Sequence, residues 1–172
     1  MIEKDLLLAL LKESVDVCYK KDWVLIERGM ERASVARIYY YMNRALEQDE
    51  RFGVLSKYNL DTEYNKNGEQ IKRTARFKRG TQPDIILHHR LDEPYQDNLL
   101  IIEFKCRKRN SSRDKEKLED FTSKESGYNY FLGVLVILNK ENVEYEYFQD
   151  GCIKQEIELL RFSCNNLTNM LY

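Results

Sequence analysis

Leu7, Leu10, Leu11 and Val15 recur at the spacing of one helix face, and Cys18 continues it. A second amphipathic stretch follows Trp23. Its apolar stripe is Val35, Ile38, Met42, Ala45 and Leu46, with Arg37 and Arg44 on the opposite side. After Arg51 the period shortens to two: Tyr58, Leu60, Thr62 and Tyr64 alternate with Asn59, Asp61 and Glu63, which predicts a half-buried strand. Asn67-Gly68 is a hairpin signal. Pro83 opens the run Asp84-Ile85-Ile86-Leu87-His88-His89, a polar loop over 90–98 follows, and residues 99–105 are apolar until their last three positions, Glu103, Phe104 and Lys105. Such continuity predicts a strand covered on both faces. A polar helix over 112–126 carries Leu118 and Phe121 on one thin face. It leads to another buried strand over 130–138, and Asp150-Gly151 joins alternating segments at 143–148 and 153–159. Residues 160–172 carry no pattern. Helices followed by strands, a helix, a strand and a hairpin predict an α/β domain around a central mixed sheet.

Composition narrows the class. A chain of 172 residues with 42% hydrophobic positions can bury a core without staples and is neither disordered nor membrane-embedded. Its apolar runs, such as 99–102 and 134–138, are too short to span a bilayer. A third of the residues are charged, yet the net charge is −1, which excludes a uniformly basic nucleic-acid coat but not a local basic patch. The acidic start, Glu3 and Asp5 ahead of Leu6, does not read as a secretory leader. Cys18, Cys106, Cys152 and Cys164 are widely and irregularly spaced, and the two histidines are adjacent. Free thiols in a reducing cytoplasm are expected rather than disulfides or a zinc site.

Strand parity gathers the candidate chemistry. Glu103 and Lys105 share a face with Leu99 and Ile101, so an acid and a lysine end an otherwise buried face. If the 90–98 loop joins an antiparallel pair, Asp84 falls opposite Glu103 and Lys105. Two close carboxylates need something positive between them. Magnesium, or manganese, characteristically takes one or two carboxylates, with waters and phosphate oxygens. The Phe104 carbonyl offers a further oxygen. Such a metal polarises a phosphoryl oxygen and generates hydroxide near neutral pH, while Lys105 orients that water or stabilises developing negative charge. This is a constellation for phosphodiester hydrolysis. Glu31, four residues before Val35 and seven before Ile38, falls on the apolar stripe of its helix. Two readings stand on geometry alone: a helix-start Glu favoured by the dipole and partly solvated, or an inward carboxylate facing the metal.

Pro83-Asp84 and Glu103-Phe104-Lys105, each on a predicted strand, resemble the signature of the PD-(D/E)xK nuclease superfamily. The segments Glu31-Arg32-Ala33-Ser34-Val35-Ala36-Arg37 and Asp61-Thr62-Glu63-Tyr64-Asn65 are similar to a group of small bacterial members. The resemblance covers about 25–150. It implies a restriction-endonuclease-like α-β-β-β-α-β core with N-terminal helices, a central mixed sheet and a crossover helix. Residues 1–24 would then be a helical extension and 151–172 a return strand and tail. It also implies a divalent-metal-dependent endonuclease acting on DNA, with Asp84, Glu103 and Lys105 catalytic and Glu31 contributing to the active site. The alternatives are a nuclease-fold module that grips nucleic acid or a protein without turnover, and a small structural protein whose Glu103 and Lys105 are incidental.

Lys72, Arg73, Arg76, Lys78 and Arg79 form a basic run before Pro83, and Arg107, Lys108, Arg109 and Arg113 form another beyond Lys105. Two basic runs flanking one acidic site point to contact with nucleic-acid phosphates. Lys117 sits in the following helix, where it could reach the same phosphate, but reads better as a solvated helix lysine; Glu63 reads equally as a solvated strand acid or an aid to metal and water binding, and His88 as a loop-edge histidine rather than a general base. Tyr39, Tyr40 and Tyr41 point in different helical directions, which suits packing or a homodimer interface better than base stacking.

Overall fold

The first helical pattern extends over α1 (Lys4–Glu27), where Leu7, Leu10, Leu11, Val15 and Cys18 are fully buried. These coordinates are a computed structural model describing residues 2–67, 70–90, 98–107 and 110–162, positions 67 and 155–157 by backbone alone. Helix α1 stops at Gly29, whose φ of +68° suits a residue without a side chain. Gly29 N–H donates to the Ile26 carbonyl at 3.0 Å and Met30 N–H to the Leu25 carbonyl at 2.9 Å, the paired bonds of a Schellman termination. Helix α2 (Glu31–Gln48) begins two residues after Gly29, so Glu31 is its first residue. The two helices are tied at Asp22, which leaves helical backbone geometry inside α1. Its carboxylate accepts from Arg37 at 2.9 Å and from the Tyr41 hydroxyl at 2.5 Å.

The strands are β1 (Asn59–Thr62), β2 (Lys66–Asn67), β3 (Gln70–Ile71), β4 (Ile85–His88), β5 (Leu100–Cys106), β6 (Leu132–Leu138), β7 (Asn142–Gln149) and β8 (Cys152–Arg161), with α3 (Ser112–Thr122) between β5 and β6. Strands β2 and β3 pair with each other on either side of the Asn67-Gly68 signal; Gly68 itself lies outside the described residues. The other six form one mixed sheet in the order β1-β4-β5-β6-β7-β8. Only β5 and β6 run parallel, and α3 makes the crossover that a parallel pair requires.

Alternation along β5 divides the core. Leu100, Ile102, Phe104 and Cys106 face the α1 and α2 layer, with Ile38 and Met42. Ile101 faces the α3 layer, with Ile86, Leu118, Phe121, Leu135 and Ile137. Both faces are covered, which is why residues 99–102 read as a continuous apolar run. The chain is therefore an α/β protein with a central mixed sheet. The apolar stripe of its first helix lies in the same core as the sheet. Residues 160–162 are also structured: β8 reaches Arg161, and Phe162 stacks on Tyr19 with centroids 3.9 Å apart. Among the described residues no helix is long and apolar enough to cross a membrane.

The Gly29 turn sets where α2 starts, and hence where Glu31 stands. Gly29→Ala should lower unfolding stability by about 1 kcal/mol, the cost of a Cβ in the left-handed region. Urea denaturation of the two proteins measures this, and an unchanged midpoint would contradict the turn geometry.

Candidate active site

Strands β4 and β5 pair antiparallel with Ile85 opposite Ile102, so Asp84 stands one step further along, opposite Glu103. Strand β4 ends there, and among the described residues no strand pairs with the rest of β5 on that edge. Carboxylates take the strand's place. Asp84 Oδ2 accepts the Phe104 N–H at 2.7 Å, and Glu31 Oε2 accepts the Cys106 N–H at 2.9 Å. The N–H and C=O of one strand residue face the same neighbour, so the Phe104 carbonyl lies on the Asp84 side as well. Glu27, the other acid at this helix junction, instead pairs with Lys140 at 2.9 Å.

Glu103 and Lys105 project toward α3. Glu103 is 1% exposed, and its Oε2 receives the Lys117 ammonium at 2.6 Å. Its Oε1 is buried without a hydrogen-bond partner. Lys105 Nζ lies 3.2 Å from Asp114 Oδ2 and 3.8 Å from Glu31 Oε1. Asp114 is 7% exposed and also lies 3.8 Å from Lys117. The structure thus brings together Asp84, Glu103, Lys105 and Glu31, and adds Asp114 and Lys117. The surface reading of Lys117 is corrected: its position on α3 turns it inward. A signal for both was present, since Asp114, Lys117, Leu118 and Phe121 share one helical face whose first turn is charged.

Burial pushes the Glu103 carboxyl well above its ordinary range, against the opposing pull of Lys117. Burial also raises Asp84, against the Phe104 hydrogen bond and the two lysines. Lys105 is the reverse case. Burial disfavours its charge, but Asp114 and Glu31 outweigh burial and raise its pKa, which keeps it protonated. Among the described residues, Asp84, Glu103, Asp114 and Glu31 gather around Lys105 and Lys117, a formal excess of two negative charges when all are ionised. Asp84 and Glu31 open into a cleft of about 320 Å³ lined also by Arg32, Val35, Glu63 and Gln82. Glu63 is exposed there, with φ at +49° and its N–H on the Asp84 carbonyl at 3.2 Å.

Among the described residues no three His, Cys, Asp or Glu side chains are grouped to hold a metal ion. The expected set of Asp84, Glu103 and Glu31 is therefore not assembled as a three-carboxylate cage; Glu31 is engaged by Cys106 and Lys105. Two carboxylates with a buried, unpartnered Glu103 oxygen still fit a hard divalent cation, which takes one or two carboxylates and completes its shell with water.

The basic runs divide. Lys72, expected at the surface, is 3% exposed. Its ammonium donates to the Tyr130 hydroxyl at 3.0 Å and lies 5.1, 5.9 and 5.4 Å from the ring centroids of Tyr64, Tyr128 and Tyr130. Lys72, Thr74 and Phe77 point inward, so only part of the run is outward. Of the outward residues, Arg76 is engaged with α3, through Glu119 at 2.7 Å and Asp120 at 3.4 Å. Arg73, Lys78 and Arg79 are exposed. Arg107 is exposed and donates to the Glu27 carbonyl at 2.9 Å. Lys108 and Arg109 lie outside the described residues. His88 ends β4, at the edge of the following loop, but is buried and bonds Asp61 at 2.9 Å beside Tyr64. Burial depresses it to about 4 despite Asp61, so it is neutral at pH 7. It is four residues from Asp84 along an extended chain, about 13 Å. Tyr41 packs inward while Tyr40 is exposed. No family model, curated protein or solved structure matches the chain.

Burial depresses Lys72 to about 8 from its ordinary 10.5, against a weaker opposite pull from Asp61. The native state then releases this proton before the unfolded chain does, so its contribution to stability rises with pH between those values. Lys72→Met cannot show that rise. Wild type should gain on the variant by up to about 3 kcal/mol between neutral and strongly alkaline pH, in paired urea denaturations. A difference independent of pH would mean the ammonium is solvated.

Proposed function

We propose that the protein is a divalent-metal-dependent nuclease that hydrolyses phosphodiester bonds of DNA, an endonuclease of the PD-(D/E)xK type. The observation that carries this reading is the pair Asp84 and Glu103 at one end of a buried sheet face, with Glu103 Oε1 buried and unpartnered. A buried polar atom left without a partner costs on the order of 1–3 kcal/mol or more. A cation there relieves that cost and offsets the excess negative charge. With the separate β2-β3 hairpin set aside, the order α2-β1-β4-β5-α3-β6 supports the restriction-endonuclease-like reading, because it is the α-β-β-β-α-β order that the resemblance implies.

Asp84 and Glu103 would hold magnesium or manganese, with the Phe104 carbonyl beside them and Glu31 at the same strand edge. When bound, such an ion supplies Lewis acidity and an acidified water. The chain's own residues do the rest. Lys105, kept charged by Asp114 and Glu31, stabilises negative charge developing on a phosphate. The cleft at Glu31 and Asp84 admits the phosphodiester past Arg32, and exposed Lys78 and Arg79 offer contacts to neighbouring phosphates. One observation favours a module that binds nucleic acid or a protein without cutting: Lys117 already occupies Glu103.

The substitutions separate the roles. Asp84→Ala and Glu103→Ala should weaken manganese binding and abolish cleavage together, measured by calorimetric titration and single-turnover cleavage of circular DNA. Lys105→Ala should keep or strengthen metal binding and still lose about a hundredfold or more in rate. Unchanged metal affinity in both carboxylate variants would sink the site; manganese binding without cleavage would favour the binding module.

The outward lysine and arginine give a separate test. Lys78→Ala with Arg79→Ala should weaken DNA binding, flatten its salt dependence and leave metal affinity alone. Titration of labelled DNA at several salt concentrations reads it, and an unaltered salt slope would remove both residues from the DNA surface.

A further inference from the structure

Lys117 is held in an unusual way for a helix lysine. Its ammonium lies 2.6 Å from Glu103 Oε2, 3.2 Å from the Gln82 carbonyl oxygen and 3.8 Å from Asp114 Oδ1. Every partner is an oxygen, as a hard cation requires. One of them belongs to the carboxylate whose other oxygen is buried and unpartnered. Lys105 differs: its nearest carboxylates are Asp114 and Glu31.

We infer that Lys117 is a resident counter-ion of the metal-free site, seated on Glu103 and displaced from it when a divalent cation binds, so that metal affinity is set by competition with this ammonium. The inference rests on the metal site proposed above. A lysine head at 2.6 Å from a carboxylate oxygen and a doubly charged ion on the same group repel each other strongly in a buried setting. The lysine has somewhere to go. Asp114, one helical turn before it on α3, keeps an anionic partner within reach of the flexible four-carbon stem. Leaving Glu103 therefore does not strand a buried charge. A merely structural lysine, present only to neutralise Glu103, would stay in place.

The experiment uses the full chain and manganese alone. Lysine amines are acetylated with and without saturating manganese, and modification at each position is read by mass spectrometry. Lys117 should be protected in the metal-free protein and should rise at least about threefold in reactivity with metal, while buried Lys72 stays unreactive. In parallel, calorimetric titration of Lys117→Met should show manganese binding at least about tenfold tighter than wild type, because the competing charge is gone. If the variant does not fold, labelling of wild type decides. Manganese binding with unchanged Lys117 labelling overturns the displacement while leaving the proposed metal site intact. A wild-type protein that binds no manganese overturns both.

Discussion

Everything at the candidate site depends on one unfinished strand edge. β4 pairs with β5 only as far as Ile85 opposite Ile102, and β5 continues to Cys106. The amides of Phe104 and Cys106 therefore point where no strand follows among the described residues, in a part of the sheet too buried for water to satisfy them cheaply. Carboxylates supply the missing acceptors: Asp84 from the start of β4 and Glu31 from the start of α2. The same substitution brings two acids from distant parts of the chain to the end of the strand that carries Glu103 and Lys105. The gathered acids and the need to satisfy these amides thus have a single origin, β4-β5 pairing that stops before β5 ends.

That origin also explains the electrostatics. A carboxylate bonded to a backbone amide is stabilised in its charged form, which is why the Phe104 bond opposes the upward push of burial on Asp84. Glu103 has no amide partner and relies on Lys117 alone, so burial dominates and one oxygen is left without a partner. The neighbouring lysine is in the opposite position, with Asp114 and Glu31 keeping it charged. Among the described residues the site is a set of anions only partly compensated by cations. Such a set tolerates an added cation more readily than an added proton acceptor.

Much of this was legible in the residues. Parity along 99–105 placed Glu103 and Lys105 on one face, and antiparallel pairing across 90–98 placed Asp84 opposite, because strand periodicity is local and strict. The helical stripe left Glu31 undecided between solvent and sheet, and the structure gives it a reason to turn inward, the Cys106 amide. Lys72 was misread because a charge run says nothing about which members alternate inward. Its ammonium is enclosed by tyrosines from positions 64, 128 and 130, and that proximity exists only after the chain folds. His88 ends its strand as expected, but its partner, Asp61, could not be read from the sequence, because it belongs to the adjoining β1 and meets His88 only through the strand register.

Asp114 and Lys117 were legible in kind but not in place, and topology supplies the missing step. β5 and β6 are parallel, so the chain must leave the carboxyl end of β5 and return to the other end of the sheet through a crossover. The connection over 107–111 is short, so the first turns of α3 have to lie over the strand end they have just left. Any side chain on the inward face of those turns then meets Glu103 and Lys105. A charged first turn on that face joins the site whether or not its spacing from the motif looks meaningful in one dimension. Asp114 gains further from the position, since an acid in the first turn of a helix is favoured by the helix dipole. It stands between the two lysines, within 4 Å of both, so their charges are coupled through one shared anion. A crossover helix that merely buried its apolar stripe would satisfy the fold; this one also delivers a carboxylate and an ammonium to the end of β5.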